Sequence, residues 1–395
     1  MTTRPGAELT APLVDPAFYA GDPFPLFAQL RAEAPVAWND DLGFWALSTH
    51  PEVLAVSKDP ATYCSGKGIL LIDIERVLPE TPGALLYYDP PDHGRYRKLV
   101  QPAFAPSRIR ALEEPIRDRA RTLIDQIVVG QVVDIVDVLA VPFPLLVIAD
   151  LLGVPGEDWE AMRCWTDALI ALASEASDEN IEIATEMATY FLDVIAQRRE
   201  DPRDDLVSTL ATVTVDGEQL DDAELMMFCG QLLVAGNETT RNLVSAGIVA
   251  LAENPQQWAR LVADRSLLPS AIEELLRWTT PVISFLRTAT CDTELRGQSI
   301  AAGDPLLLLY ASANRDETTF GPTAGVLDVG REHNAQLAFG FGEHYCIGAA
   351  LARLEGRIVF EELLDRFATL ESAAPAERLA SNVIAGITHA DVILR

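Results

Sequence analysis

Cys346 stands in a run of small and aromatic residues, Phe339-Gly340-Phe341-Gly342-Glu343-His344-Tyr345-Cys346-Ile347-Gly348, and the chain beyond it, Ala349-Ala350-Leu351-Ala352, reads as the first turns of a helix. The glycines allow sharp, close-packed backbone. A cysteine at a helix start meets free backbone amides and the positive end of the helix dipole, which favour the thiolate and equip the sulfur to bind a metal. Three readings of these residues stand side by side: a structural turn with an incidental cysteine, a nucleophile served by His344, and a metal thiolate. Zinc is disfavoured, because a zinc centre takes about three or four protein ligands and the other His and Cys residues show no ligand spacing.

A second constellation places polar residues where a helix ought to be apolar. From Asp221 to Glu253 the residues Met226, Phe228, Leu232, Leu233, Val234, Leu243, Val244, Ile248, Val249 and Leu251 cover most of a helical circumference, as in a helix threaded through the centre of a large domain. Asp221 and Glu224 are spaced as a capping box and Asn254-Pro255 ends the run, at about twice the usual helix length. Asn237-Glu238-Thr239-Thr240 interrupt it midway. A buried carboxylate is costly without partners, so the run is either an exposed polar bulge or a functional group held inside. A third constellation is Ser270-Ala271-Ile272-Glu273-Glu274-Leu275-Leu276-Arg277-Trp278, where Ser270 and Glu273 are spaced as another capping box. Glu274 and Arg277 share a face there, and such a pair is ordinarily a minor surface contact.

These residues need a frame. Apolar and charged residues alternate at helical spacing over 107–128, 155–199, 221–253, 256–264, 270–279 and 347–369. Strand-like stretches are few: Val36 to Leu47, Leu306 to Tyr310 and Val383 to Leu394. The expected class is mainly α. Residues 1–20, with Pro5, Pro12 and Pro16, are expected to form an irregular arm, and Asp201 to Asp205 a surface loop.

Composition narrows the partners. The 395 residues are 49% hydrophobic and 23% charged, as in ordinary globular enzymes. Acidic residues outnumber Lys plus Arg by 59 to 30, a formal charge of -29 that repels nucleic acid phosphates and anionic lipid. No apolar leader opens the chain and no run reaches the ~18 apolar residues of a membrane span, so a cytoplasmic protein without membrane insertion is expected. The five scattered cysteines suit a reducing compartment, and Cys346 alone has special surroundings.

Taken together, the motifs resemble one family. The loop matches the haem-binding pattern FGxGxHxCxG of cytochromes P-450 at every fixed position. Glu274-Leu275-Leu276-Arg277 is similar to that family's ExxR helix, Ala235-Gly236-Asn237-Glu238-Thr239-Thr240 to its oxygen-binding motif, and Asp89-Pro90-Pro91-Asp92-His93-Gly94-Arg95-Tyr96-Arg97 to the entrance of its C-helix. The order is the family's, and the resemblance runs from Asp22-Pro23-Phe24 through Ala313-Asn314-Arg315-Asp316 to the C-terminus.

The resemblance implies one domain over residues 1–395, a helical triangular prism with a small β-rich lobe. It implies heme b, iron protoporphyrin IX, between the long central helix and the helix after Cys346. Cys346 would be the axial iron ligand. Phe339, Ala235, Gly236 and Gly348 would adjoin the cofactor, while His93, Arg97, Arg287 and His344 would hold its propionates. Glu274 and Arg277, joined by Arg331, would brace the cysteine loop from behind. Glu238 and Thr239 would be the acid and alcohol that deliver protons, although many relatives carry aspartate where Glu238 stands.

Thiolate ligation favours O–O cleavage, so the implied reaction is monooxygenation of a hydrophobic small molecule by O2. Electrons would come from NAD(P)H through a ferredoxin reductase and a ferredoxin, to a monomeric enzyme. Arg353 and Arg357 read either as part of a ferredoxin-docking patch or as a solvated helix face with Glu355 nearby. Ile69, Leu70, Val282, Ile283, Phe285 and Ile387 fall where relatives line the pocket, favouring a steroid, branched lipid, fatty acid or terpenoid. A peroxygenase and a non-turnover haem ligand-binding protein are the competing readings, and the Glu238-Thr239 pair argues against both.

Overall fold

The computed structural model describes residues 5–76, 83–172 and 177–395. Its axis is the helix Asp222–Glu253, 32 residues long. That helix starts as the sequence suggests: the Asp221 carboxylate accepts from the Glu224 amide, and the Glu224 carboxylate from the Asp221 amide. Apolar nearly all round, it is surrounded by the helices Pro142–Leu152, Asp178–Glu200, Leu268–Thr279 and Ala349–Arg366, and the largest apolar core forms about it. Pro142–Leu152 passes so close that a side chain at Gly236 would meet Ile148.

A smaller β-rich lobe carries five strands in the order Val36–Asn39, Phe44–Leu47, Pro305–Leu309, Ser284–Ala289, Tyr63–Cys64. The second and third are parallel and the other neighbours antiparallel. Leu307 and Leu309 face a core built with Leu13, Phe27 and Leu30, while Leu306 and Leu308 face one built with Val53, Val56 and Tyr310. A strand covered on both faces has no polar alternation, hence the run of four leucines. No helix among the described residues is long and apolar enough to cross a membrane.

Several boundaries differ from the sequence reading. Over residues 5–20 the N-terminal segment is not irregular: helices Ala7–Thr10 and Pro16–Ala20 flank a 3-10 turn, with the Asp15 carboxylate capping the second. The 107–128 segment divides at Leu112 and ends at Ile124. The 155–199 segment divides into Trp159–Leu172 and Asp178–Glu200, with 173–176 outside the described residues. Val36 to Leu47 is a hairpin, and Val383 to Leu394 holds two short strands, Ile387–His389 and Asp391–Leu394. The Ser270 and Glu273 capping box does not form. Pro269, which needs no amide partner, lets the helix begin at Leu268, and the Ser270 hydroxyl donates instead to the carbonyls of Leu267 and Val329.

Candidate active site

The cysteine loop is shaped by two glycines with positive φ, Gly340 at 67° and Gly342 at 74°. At Gly342 a Cβ would run into the Ser57 carbonyl, so glycine is required both for its dihedral and for space. The Cys346 amide donates to the Phe339 carbonyl at 2.9 Å, closing the loop, and a Cβ on Gly348 would lie 3.9 Å from the sulfur. Burial pushes the thiol up, opposed by the amides of Gly348 and Ala349 and by the positive charges of Arg97 and Arg353. The sulfur is surrounded by protein, yet Cys346 keeps accessible surface. It therefore faces an internal space. Ala235, exposed in the middle of an otherwise buried helix, shows the same signature.

His93, Arg97, Arg287 and His344 converge on that space. The helix Asp92–Val100 carries His93 and Arg97 one turn apart, and the strand Ser284–Ala289 carries Arg287. The two imidazoles lie 4.4 Å apart. Burial, Arg97 and Arg287 push His93 down to about 4, and burial, Arg287, His93 and Arg97 push His344 down to about 3. Arg97 donates to the Tyr345 carbonyl at 2.7 Å and Arg287 to the Leu286 carbonyl at 2.6 Å. Among the described residues neither has a carboxylate partner, and His93 Nε2 is buried with no partner. Nearby Asp89 accepts the amides of Ser65 and Gly66, and Glu343 lies 3.5 Å from His344. The rim thus carries two arginines with no ion-pair partner among the described residues and an unpartnered imidazole nitrogen, beside two carboxylates.

Behind the loop the arrangement is the opposite. Glu274 and Arg277 are fully buried and doubly bonded, at 2.8 and 2.7 Å. Glu274 also accepts from Arg331 at 2.9 Å, Asn334 at 3.1 Å and the Asp328 amide at 2.9 Å. Arg277 donates further to the carbonyls of Asn314, Ala324 and Val326. This is a satisfied core network tying the helix Leu268–Thr279 to the segment that leads into the cysteine loop, not a surface pair.

Midway along the central helix Asn237, Glu238 and Thr240 are buried, so the polar run is not a surface bulge. The Thr239 hydroxyl donates to the Ala235 carbonyl at 2.7 Å. Glu238 is held by Arg241 at 3.2 Å, and burial raises its pKa against that charge, with Asp167 adding to the rise. Gly236 serves packing against Ile148 rather than the internal space. Sequence reasoning missed Glu355: it is not on a solvated face but buried against the central helix, accepting from the Thr240 hydroxyl at 2.9 Å, and burial pushes its carboxyl up to about 8. The acid lies among apolar and small residues nine positions after Cys346, and that surrounding was the available signal.

Arg353 and Arg357 are not free cations. Arg353 pairs with Glu273 at 2.5 Å and lies over the Phe339 ring at 4.5 Å, and Arg357 pairs with Glu113 at 2.8 Å and Glu361 at 3.0 Å. The pocket candidates are spread through the lobe. Asp73, also missed, holds the amides of Ile69 and Leu70, both at 2.9 Å. Ile283 and Ile387 line a cavity at the far end of the central helix, Phe285 meets Tyr310 edge-on at 6.3 Å, and Val282 forms a bridge with Ile384.

A family model, Cytochrome P-450, matches residues 128–383, which take in the central helix, the brace and the cysteine loop. The chain belongs to the cytochrome P-450 family. This P-450 is 42% identical, over 96% of its length and 95% of the relative's, to the putative cytochrome P-450 126 of Mycobacterium tuberculosis. It is 36% identical to linalool 8-monooxygenase of Pseudomonas putida, covering 94% of this chain and 95% of the relative. It is 38% identical to steroid C26-monooxygenase of M. tuberculosis, covering 100% and 98%. The crystal structure of CYP108D1 from Novosphingobium aromaticivorans matches with TM-score 0.88 and 36% identity, over 99% of this chain and 98% of that one. The P-450 is accordingly a monooxygenase of hydrophobic small molecules, with the family's haem-thiolate cofactor.

The residues present fit that cofactor on this structure's own terms. Cys346 and Ala235 both keep accessible surface within the fold, and the two carboxylates of a haem match Arg97 and Arg287, which have no ion-pair partner among the described residues, and the unpartnered His93 nitrogen.

Proposed function

We propose that residues 1–395 act as one domain, a cytoplasmic monomer that hydroxylates a steroid, branched lipid, fatty acid or terpenoid. The reaction consumes O2, two protons and two electrons, and leaves one oxygen atom on the substrate carbon and the other in water. The observation that carries this reading is the cysteine facing an internal space at whose rim Arg97 and Arg287 have no ion-pair partner among the described residues and His93 Nε2 has no hydrogen-bond partner. Cys346 would hold the haem, which would supply oxygen activation and C–H chemistry. The chain does the rest. His93, Arg97, Arg287 and His344 would hold the propionates. Glu274, Arg277 and Arg331 keep the cysteine loop in register. Thr239, able to exchange its bond to the Ala235 carbonyl for one across the cavity, holds a proton at its Oγ1. Glu238, raised by burial, is the acid beside it.

Electrons would come from NAD(P)H by way of a ferredoxin reductase and a ferredoxin. With Arg353 and Arg357 engaged in internal pairs, their contribution to docking would be indirect, by holding the helix after Cys346. The substrate classes rest on the relatives named for linalool and for steroids, and on the apolar lobe that supplies the pocket candidates.

The test is optical. Titrating the purified holoprotein with terpenoids, steroids and branched fatty acids should give a Soret shift for one class, followed by a hydroxylated product when ferredoxin, its reductase and NAD(P)H are added. Cys346→Ser should lose the long-wavelength band of the reduced carbon monoxide complex, because a hydroxyl ligand lacks thiolate donation. A band unchanged in that variant would remove the thiolate assignment.

A further inference from the structure

The Arg315 guanidinium lies between two aromatic rings, its Cζ 3.5 Å from the centroid of Phe24 and 3.7 Å from that of Trp278. Two rings so close cannot share one face, so both faces are covered and only the edge, where the N–H donors lie, is left to meet a partner. That edge is nearly unused. Nη2 donates to the Trp278 carbonyl at 3.2 Å, Nε is buried with no partner, and Nη1 makes no hydrogen bond among the described residues. No carboxylate among those residues lies within ion-pair distance of Arg315. Burial, Arg277, Arg378 and Arg31 push its pKa down to about 9 against the pull of Asp22, as expected of a cation short of negative charge. Arg277 and Arg31 have carboxylates of their own, Glu274 and Glu317.

Arg315 borders the cavity at the far end of the central helix, and Phe24 and Trp278 border it with the guanidinium they clasp. Arg378, exposed on the short strand Glu377–Arg378, borders it too and likewise has no ion pair among the described residues. The one acid in the wall, Glu253, is exposed and reaches neither arginine. Most of the remaining wall is apolar, with Phe27, Val249, Ile283 and Ile387. The volume is about 70 Å³, and since one water takes about 10–15 Å³ there is room for roughly five to seven non-hydrogen atoms. An inorganic anion would meet the arginines but set its charge against apolar walls. An uncharged apolar molecule would suit the walls and leave the guanidinium edge empty. A planar carboxylate on a short aliphatic chain satisfies both.

We propose that this cavity is a binding site for a short aliphatic carboxylate of about four carbons, its head group in the plane of Arg315 and beside Arg378, its chain among Phe27, Val249, Ile283 and Ile387. No bond is made or broken there. The walls come from the helix Phe24–Glu33, the central helix, the helix Leu268–Thr279 and the segment 378–387, so the occupant ties the N-terminal and C-terminal parts of the chain to the central helix and stabilises the fold by mass action.

The probe is sodium butyrate, titrated into the purified holoprotein at constant ionic strength and followed by calorimetry, by melting temperature and by the Soret band. We expect saturable binding at one site with a Kd of about 1 mM, a melting temperature that rises with occupancy, and an unchanged Soret band. Arg378→Gln, at an exposed position, should weaken binding about ten-fold. Ala246 borders the cavity from the central helix and keeps accessible surface, so Ala246→Leu should fill the space and abolish binding. Arg315→Lys keeps the charge and loses the planar edge, so it too should bind weakly; if it does not fold, the other two variants still answer the question. The proposal is overturned if no saturable binding appears by about 50 mM butyrate, or if Arg378→Gln and Ala246→Leu both bind with parental affinity. It is overturned equally if 1-butanol binds as tightly, if chloride or sulfate gives the same stabilisation, or if the Soret band shifts in step with binding, which would place butyrate at the haem instead.

Discussion

Two polar clusters lie on either side of the cysteine loop, and they are finished differently. Behind it, Glu274 and Arg277 are 0% exposed and every functional nitrogen and oxygen finds a protein partner. In front of it, His93 Nε2 has none, and Arg97 and Arg287 have no carboxylate among the described residues. Buried polar groups are rarely left unpaired, so the contrast separates groups whose partners are protein from groups whose partner is a ligand. Removing a member of the closed cluster should therefore cost the fold, and removing a member of the open one should cost the ligand.

The largest effect is expected from Arg277→Ala, which leaves Glu274 buried with only part of its compensation. Breaking such a pair costs about 3–5 kcal/mol, a large part of the ~5–15 kcal/mol that holds a domain together. Little soluble holoprotein should be recovered, as measured by expression and haem content. Normal yield with full haem would mean that the network is dispensable and the contrast is not energetic.

Glu355 tests the closed class from another side, because its single hydrogen bond from Thr240 does not make up for complete burial. Its folded-state pKa is raised to about 8 from the ordinary 4.5, so the fold favours the neutral acid. The sign follows directly. Its contribution is fully present below about pH 4.5 and is lost as pH rises through about 8. At about 1.4 kcal/mol per pKa unit, the loss amounts to a few kcal/mol at the alkaline end. Glu355→Gln should hold a nearly constant urea midpoint across that window, while the parent midpoint declines. Parallel curves would show that Glu355 is ionised in the fold.

The open class is probed by Arg287→Leu. One charge-assisted hydrogen bond to a carboxylate is worth about 1.5–3 kcal/mol, so haem transfer to an acceptor protein should accelerate roughly ten- to a hundred-fold with thermal stability of the apoprotein unchanged. Because Arg287 helps hold both imidazoles down, their pKa values should rise in the variant apoprotein, a shift visible by NMR. An apoprotein melting well below the parent would move Arg287 to the closed class.

These two classes also mark what the sequence could and could not reveal. The central helix was legible to its ends because capping chemistry is local: Asp221 and Glu224 cap it as their spacing suggests. The Ser270 box carried the same local signal and failed, because Val329, distant in sequence, offers its carbonyl to that hydroxyl. Cys346 and the Glu274 and Arg277 pair were legible from their motifs, but the burial that makes the pair structural depends on chain from Asn314 to Asn334 folding over it. Glu355 and Asp73 were missed because neither has a motif, and their importance comes only from the helix or loop packed on them. Arg353 and Arg357 were legible as cations on one helix, while their neutralisation by Glu273 and Glu113 arises in the tertiary fold.

Thr239 gives the smallest expected change in stability and the most selective change in chemistry. Its hydroxyl donates to the Ala235 carbonyl within its own helix turn, a local bond whose loss leaves no distant partner stranded. Thr239→Ala should therefore fold, keep its haem and show substrate-induced spectral shifts close to the parent's. What it lacks is a hydroxyl that can hold a proton at the cavity. Electrons should continue to be drawn from NADH while hydroxylated product falls and peroxide rises, since release of reduced oxygen competes with its productive protonation. NADH consumption, peroxide and product measured together in a reconstituted ferredoxin system separate this from a packing defect, which would lower all three. If product per NADH equalled the parent's, the proton would be reaching oxygen without Thr239, and Glu238 would need another terminal donor.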